Sequence, residues 1–151
     1  MGSAYDTELP DSSVEVIFCM SLIHHLDLPR ARAEMLRVLR PGGLVVLKEP
    51  IRFSAGYGVL RSFFPSHEDI SEDEHPLTRD EFRTFQEGFD SDGLRFFRLP
   101  FVPLVQRAIP KTTRTVLRTS DFLLRALPAL SRYATVAVVR LRKPDEQKRE
   151  E

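Results

Sequence analysis

The chain has 151 residues, 42% of them apolar, and its 22 basic and 22 acidic side chains cancel to a formal net charge of zero. That is enough for one domain with a core and too little to expect two. No apolar run approaches the length of a membrane span, the N-terminus lacks a basic stretch leading into an apolar one, and the single Cys19 excludes an intramolecular disulfide, so a soluble, cytoplasmic protein is expected.

In chain order, Val14 to Met20 is nearly all apolar and rich in β-branched and aromatic residues, which predicts a strand buried on both faces, as in a parallel sheet. Asp27 is placed to cap a helix with Pro29 in its first turn. Leu28, Ala31, Met35, Val38 and Leu39 then recur at helical spacing, with Arg30, Glu34, Arg37 and Arg40 on the wetter side. Pro41, Gly42 and Gly43 are expected to stop this helix, and Leu44 to Leu47 to form a second buried strand. Two apolar strands joined by a helix predict a right-handed crossover and a parallel pairing.

Residues 51 to 76 lack periodicity and hold an acidic run, and a long irregular segment of this kind suits a lid or binding loop. Thr78 and Glu81 then spell a capping box, with Leu77 and Phe82 spaced as a hydrophobic staple. Phe82, Phe85 and Phe89 should face inward and Gly88 should end the helix. A third strand is expected over Leu94 to Leu99, stopped by Pro100 and Pro103. From about Thr112 to Leu127 an amphipathic helix follows, with Val116, Leu117, Leu123, Leu124 and Leu127 inward and Lys111, Arg114, Arg118 and Arg125 on another face. Tyr133 to Leu141 reads as the last strand, before a charged tail over 144–151 that should be disordered.

The zero net charge hides a segregation. Residues 1–92 carry 9 basic and 17 acidic side chains, whereas residues 93–143 carry 11 basic residues and one acid, Asp121. The two halves attract each other, or the basic half meets an anionic partner.

The run "LPDSSVEVIFCMSLIHHL" followed by "EMLRVLRPGGLVVLKEP" closely resembles the second half of the class I S-adenosylmethionine-dependent methyltransferases, in particular the small-molecule kind with a type 11 methyltransferase domain. The match is strong over residues 5 to 50 and rests on element order thereafter. The resemblance implies an α/β fold with a partial Rossmann-like methyltransferase sheet. Residues 1–143 would supply strands 4 to 7 of a 3-2-1-4-5-7-6 order, with strand seven antiparallel and a helical insertion at 100–130. Strands 1 to 3 and the Gly-rich cofactor turn would lie outside this C-terminal half. Strand Val14 to Met20, deprived of its neighbour, would become an apolar edge prone to association.

The same resemblance implies S-adenosylmethionine as cofactor and a small-molecule methyl acceptor, with no nucleic acid expected. Asp6 falls near the family's acidic residue for the adenine amino group, with one residue fewer before Leu9-Pro10. Cys19, Met20 and Ser21 would present their backbone to the methionine part of the cofactor. His24 and His25, in the turn after that strand, and Glu49, at the end of the next, are the candidate catalytic residues, as base or as acceptor-binding groups. Each also has a structural reading: hydrogen bonding for the histidines, loop fixing for Glu49, and a small buried hydrophobe for Cys19. His67, Glu68, Asp69 and His75 lie in an irregular loop without helical spacing, so no metal site is expected. Two rival readings are a non-catalytic interaction module that binds through the open sheet edge and a membrane-surface methyltransferase docked by the basic helix.

Overall fold

The computed structural model describes residues 2–54 and 75–145. The acidic run and most of the lid-like loop, His67, Glu68 and Asp69 included, fall outside them, as do residues 146–151 of the charged tail. The described residues build a four-stranded sheet in the order β1-β2-β4-β3. β1 is Val14–Met20, β2 Leu39–Pro50, β3 Asp90–Phe97 and β4 Val136–Arg142. β1 and β2 run parallel, and β4 is antiparallel to both β2 and β3.

Helix α1, Leu28–Val38, makes the crossover from β1 to β2. Its cap is the expected one, with the Asp27 side chain accepting from the Arg30 backbone N–H at 2.9 Å. Ala31, Met35 and Val38 are buried against the sheet. The helix ends at Val38, short of the Pro-Gly-Gly stop, because Pro41 disfavours helical geometry in the residue before it. Pro41 to Gly43 lie instead inside β2 as a bulge: Val14 pairs with Leu39 and Val16 with Leu44. Gly43 is required there, since a Cβ would sit 2.9 Å from the Arg40 carbonyl oxygen and 3.1 Å from that of Glu15.

Helix α2, Arg79–Gln86, carries the predicted capping box in full, with Thr78 and Glu81 each bonding the other's backbone N–H. Phe82 and Phe85 are buried, and Phe89 packs on the same core. This helix and α1 cover one face of the sheet, the face of Val45, Leu47, Ala137, Val139 and Leu141. The ends of the segment between β2 and α2 are joined by an Ile51–Leu77 bridge.

Two strand boundaries differ from expectation. β3 begins at Asp90 rather than Leu94 and ends at Phe97 rather than Leu99. Its polar start is held by β4, where Arg140 donates to the Asp92 carbonyl and Arg142 to the Asp92 carboxylate, contacts that strand propensity does not encode. β4 starts at Val136, because Pro128–Tyr133 forms 3-10 turns. Between them lie α3, Phe101–Ala108, and α4, Thr113–Ala126. Pro103 sits in the first turn of α3, where a missing N–H costs nothing. Buried Ser120 ties α4 down by accepting from the Leu99 N–H at 2.9 Å.

Three burial expectations fail. β1 is not buried on both faces: it is the sheet edge among the described residues, and Phe18 is 63% exposed, with Val16 and Met20 close behind. Alternation along a strand sends these three to the face that α1 and α2 do not cover. Leu127 is exposed, because α4 ends one residue before it. Glu34, assigned to the wet side of α1, is buried, because the N-terminal segment folds over it.

Candidate active site

The carboxyl ends of β1 and β2 meet at one cluster. Glu49, at the end of β2, is 1% exposed. Its Oε1 accepts from the backbone N–H groups of Leu22, at 3.0 Å, and Ile23, at 3.2 Å. Its Oε2 lies 2.7 Å from Nδ1 of His24. A single buried carboxylate thereby fixes the 3-10 turn Ile23–His25 that leaves β1. Since a carboxylate only accepts, the proton of this contact sits on Nδ1 of His24. The His24 side chain retains 9% exposure. His25 stands beside it, ring centroids 4.0 Å apart.

Ser21 makes the corner into this turn with φ 47°, a left-handed conformation uncommon for a residue with a Cβ. Its N–H donates to the Lys48 carbonyl at 2.8 Å. Ser21 and Met20 are exposed, whereas the Cys19 side chain is buried in the core. Burial, and then the nearby Glu49 charge, push the Cys19 thiol above its ordinary pKa, which disfavours the thiolate.

The N-terminal segment is fastened along α1. The Tyr5 hydroxyl accepts from the Asp27 N–H at 2.9 Å, at the start of α1, and Arg30 stacks on the Tyr5 ring. Thr7 donates to Glu34 through both its N–H and its hydroxyl, at 2.7 and 2.6 Å, and Arg37 binds the same carboxylate. Arg37 foremost, then Thr7, hold the Glu34 carboxyl down to about 2. These contacts hold exposed Asp6 alongside the first half of α1, between the Tyr5 to Asp27 and Thr7 to Glu34 bonds. The sequence offered no sign of the Tyr5 and Thr7 contacts, each of which spans more than twenty residues.

A cavity of about 450 Å³ opens on the opposite face, between the sheet and α4. Lys48, next to Glu49 in β2, lines it with Arg98 and Arg118 over apolar Phe97, Leu117, Val136 and Val138. His24 and Glu49 are not among its walls, so the two strand tips touch each other without sharing this hollow. Lys48 and Arg98 had no distinguishing pattern in the sequence.

Residues 1–47 match the model of a methyltransferase domain family. A probable S-adenosylmethionine-dependent methyltransferase from Mycolicibacterium smegmatis is 36% identical over 67 residues, 44% of this chain and 26% of that protein. Among solved structures, the putative sarcosine dimethylglycine methyltransferase of Galdieria sulphuraria superimposes with a TM-score of 0.58 at 16% identity, over 95% of this chain and 58% of that one. Geranyl diphosphate C-methyltransferase from Streptomyces coelicolor A3(2) gives 0.59 at 14%, over 93% and 52%. The [4+2]-cyclase SpnF gives 0.56 at 17%, over 95% and 54%. The chain thus spans about a quarter of the curated relative and somewhat over half of these structures. One shared fold includes a protein named for a cyclisation, so fold alone does not fix the reaction.

Proposed function

We propose that the chain is part of a class I S-adenosylmethionine-dependent methyltransferase, a reading supported by the methyltransferase-domain match over residues 1–47 and the 36% identical relative, and that it takes part in transfer of a methyl group from S-adenosylmethionine to a small-molecule acceptor, at the carboxyl ends of β1 and β2. In this reading β1, β2, β3 and β4 are strands four, five, six and seven of the family's sheet. The observation that carries the reading is the Glu49 to His24 contact, which joins the two strand ends into one fixed structure.

Asp6, Met20 and Ser21 are each exposed and offer groups that suit the cofactor: an acidic acceptor for the adenine amino group, an apolar side chain, and a turned backbone open to a ligand. Cys19 contributes through its backbone alone, its side chain being committed to the core. The bound sulfonium supplies an activated methyl whose leaving group is a neutral thioether.

The protein's task is then alignment, which supplies several kcal/mol by itself, and removal of the acceptor's proton where one is present. His24 performs the second role: Glu49 holds the proton on Nδ1, and Nε2 is the basic atom. With S-adenosylmethionine supplying the methyl group, His24 Nε2 would take the acceptor's proton. Glu49 acts through His24 and the turn as a positioning residue, because all three of its contacts are internal. His25, exposed beside His24, would meet the acceptor.

Calorimetric titration with S-adenosylhomocysteine tests the reading. Saturable binding is expected, weakened by Asp6→Ala and unaffected by Arg114→Glu. Absence of binding by the folded chain would overturn it in favour of a non-catalytic interaction module.

A further inference from the structure

The cavity under α4 has a composition that the methyl-transfer reading does not require. Its floor is apolar, formed by Val136 and Val138 of β4 with Phe97 and Leu117 beside them. Its polar groups are almost all of one sign: Lys48, Arg98 and Arg118, against Asp121 alone. Asp121 is already engaged, since Arg125 reaches its Oδ2 at 3.0 Å from one turn further along α4. Lys48, Arg98 and Arg118 have no ion-pair partner among the described residues, as is also true of exposed Lys111 and Arg114, but these three alone converge on the cavity.

These cations come from three separate elements held together by the fold. Lys48 projects from β2 on the face opposite Glu49. Arg98 follows β3 at φ 56°, a left-handed corner fixed by Thr135, whose N–H and hydroxyl donate to the Arg98 carbonyl at 2.9 and 3.2 Å. Arg118 rides on α4, anchored by the buried Ser120 to Leu99 bond. Three like charges facing one hollow repel one another, and an arrangement that keeps them unpaired stores a preference for an anion. The volume lies in the range of small-molecule sites, which pair an apolar wall with a few placed polar groups.

We propose that this cavity binds an amphipathic anion, a molecule with an apolar body and a carboxylate or phosphate head, the body lying on Val136, Val138, Phe97 and Leu117 and the head among Lys48, Arg98 and Arg118. Lys48 precedes Glu49 by one residue, so the ligand's charged head would lie at the carboxyl end of β2, beside the strand ends where methyl transfer is placed. Resting on that reading, the inference names the acceptor class: an acidic small molecule with a substantial apolar portion.

The 151-residue chain is titrated by calorimetry with monomeric decanoate and decyl phosphate, and in parallel with decanol, acetate and inorganic phosphate. Decanoate and decyl phosphate should bind at one site, with decanol and the two short anions at least tenfold weaker. Lys48→Met and Arg118→Ala, both at exposed positions, should each weaken decanoate binding about threefold to tenfold, with melting temperature unchanged. The Arg114→Glu control, outside the cavity, should not. Decanol binding as tightly as decanoate overturns the anion, and acetate binding as tightly as decanoate overturns the apolar body. No binding of decanoate overturns the site. Sedimentation with phosphatidylglycerol vesicles in the absence of decanoate binding replaces it with a membrane surface. S-Adenosylhomocysteine in the same cell separates the two claims: its binding without decanoate sinks the cavity proposal alone, and decanoate binding without it sinks methyl transfer alone.

Discussion

Replacing Glu49 by Gln should invert the tautomer of His24 while leaving the fold in place. The carboxylate receives three donors: Leu22 and Ile23 N–H at one oxygen, His24 Nδ1–H at the other. Glutamine keeps one carbonyl oxygen, which can retain the two backbone donors, so its NH₂ must face His24. Two N–H groups cannot bond each other, and the imidazole responds by moving its proton to Nε2 and accepting at Nδ1. The contact survives as a neutral hydrogen bond about half as strong as the charge-assisted one, a loss of about 1–2 kcal/mol, or about 2–4 °C per kcal/mol in melting temperature for a chain of this size. Glu49→Ala, by contrast, leaves all three donors without an acceptor and should cost about 3–5 kcal/mol. Nitrogen NMR of histidine-labelled protein reads the tautomer directly, with His24→Gln assigning the resonance. The wild type should show a protonated Nδ1 and the Gln variant a protonated Nε2. The same tautomer in both proteins would falsify the positioning role of Glu49, and so would a melting temperature in the Gln variant as low as in the Ala variant.

Thr78→Ala removes the hydroxyl of the capping box and should lower stability by about 0.5–2 kcal/mol, read from urea denaturation. Glu34, held by Arg37 and then Thr7 at about 2 against an ordinary 4.5, binds protons in the unfolded chain before it does in the folded one. Its stabilisation is therefore complete above about 4.5 and lost as pH falls towards 2; the melting-temperature gap between wild type and Glu34→Gln should close across that window, and a gap constant with pH refutes the linkage. Phe18→Lys puts a charge on the exposed face of edge strand β1 and should reduce concentration-dependent association in sedimentation velocity. A wild-type chain that stays monomeric at every concentration removes the reason for that expectation.

The parts of this fold legible in the sequence are those whose cause is local. Asp27 and the Thr78 to Glu81 box announced two helix starts, because a cap and the N–H it serves lie within three residues. The inward stripe of Ala31, Met35 and Val38 was equally plain from its period. What the sequence hid is carried by contacts between distant residues. Glu34 looked solvated by helical position, yet Thr7, 27 residues away, covers it. The polar opening of β3 reads as loop until Arg140 and Arg142 pair with it, and the Pro-Gly-Gly run reads as a stop when it is a bulge closed from the end of β4: the Gly42 N–H donates to the Lys143 carbonyl, the Lys143 N–H to the Gly43 carbonyl and the Arg142 guanidinium to the Gly42 carbonyl. The candidate site divides the same way. His24, His25 and Glu49 were found because they end predicted strands and turns, whereas Lys48 and Arg98 became a pair only when β2 and β3 were folded to opposite sides of β4.

The alternation of β2 explains how one strand end can serve two sites. Lys48 and Glu49 are consecutive, so the pleat sends them to opposite faces. On the covered face Glu49 is buried and would be costly unless paired, and it meets three internal donors, which makes it a fixture of the turn rather than a ligand-binding group. On the other face Lys48 stands over an apolar floor with no ion-pair partner among the described residues, a state tolerated only while water or an anion reaches it. The same physical rule, that a charge must find a counterpart, therefore assigns one residue to building the site and its neighbour to receiving what enters it.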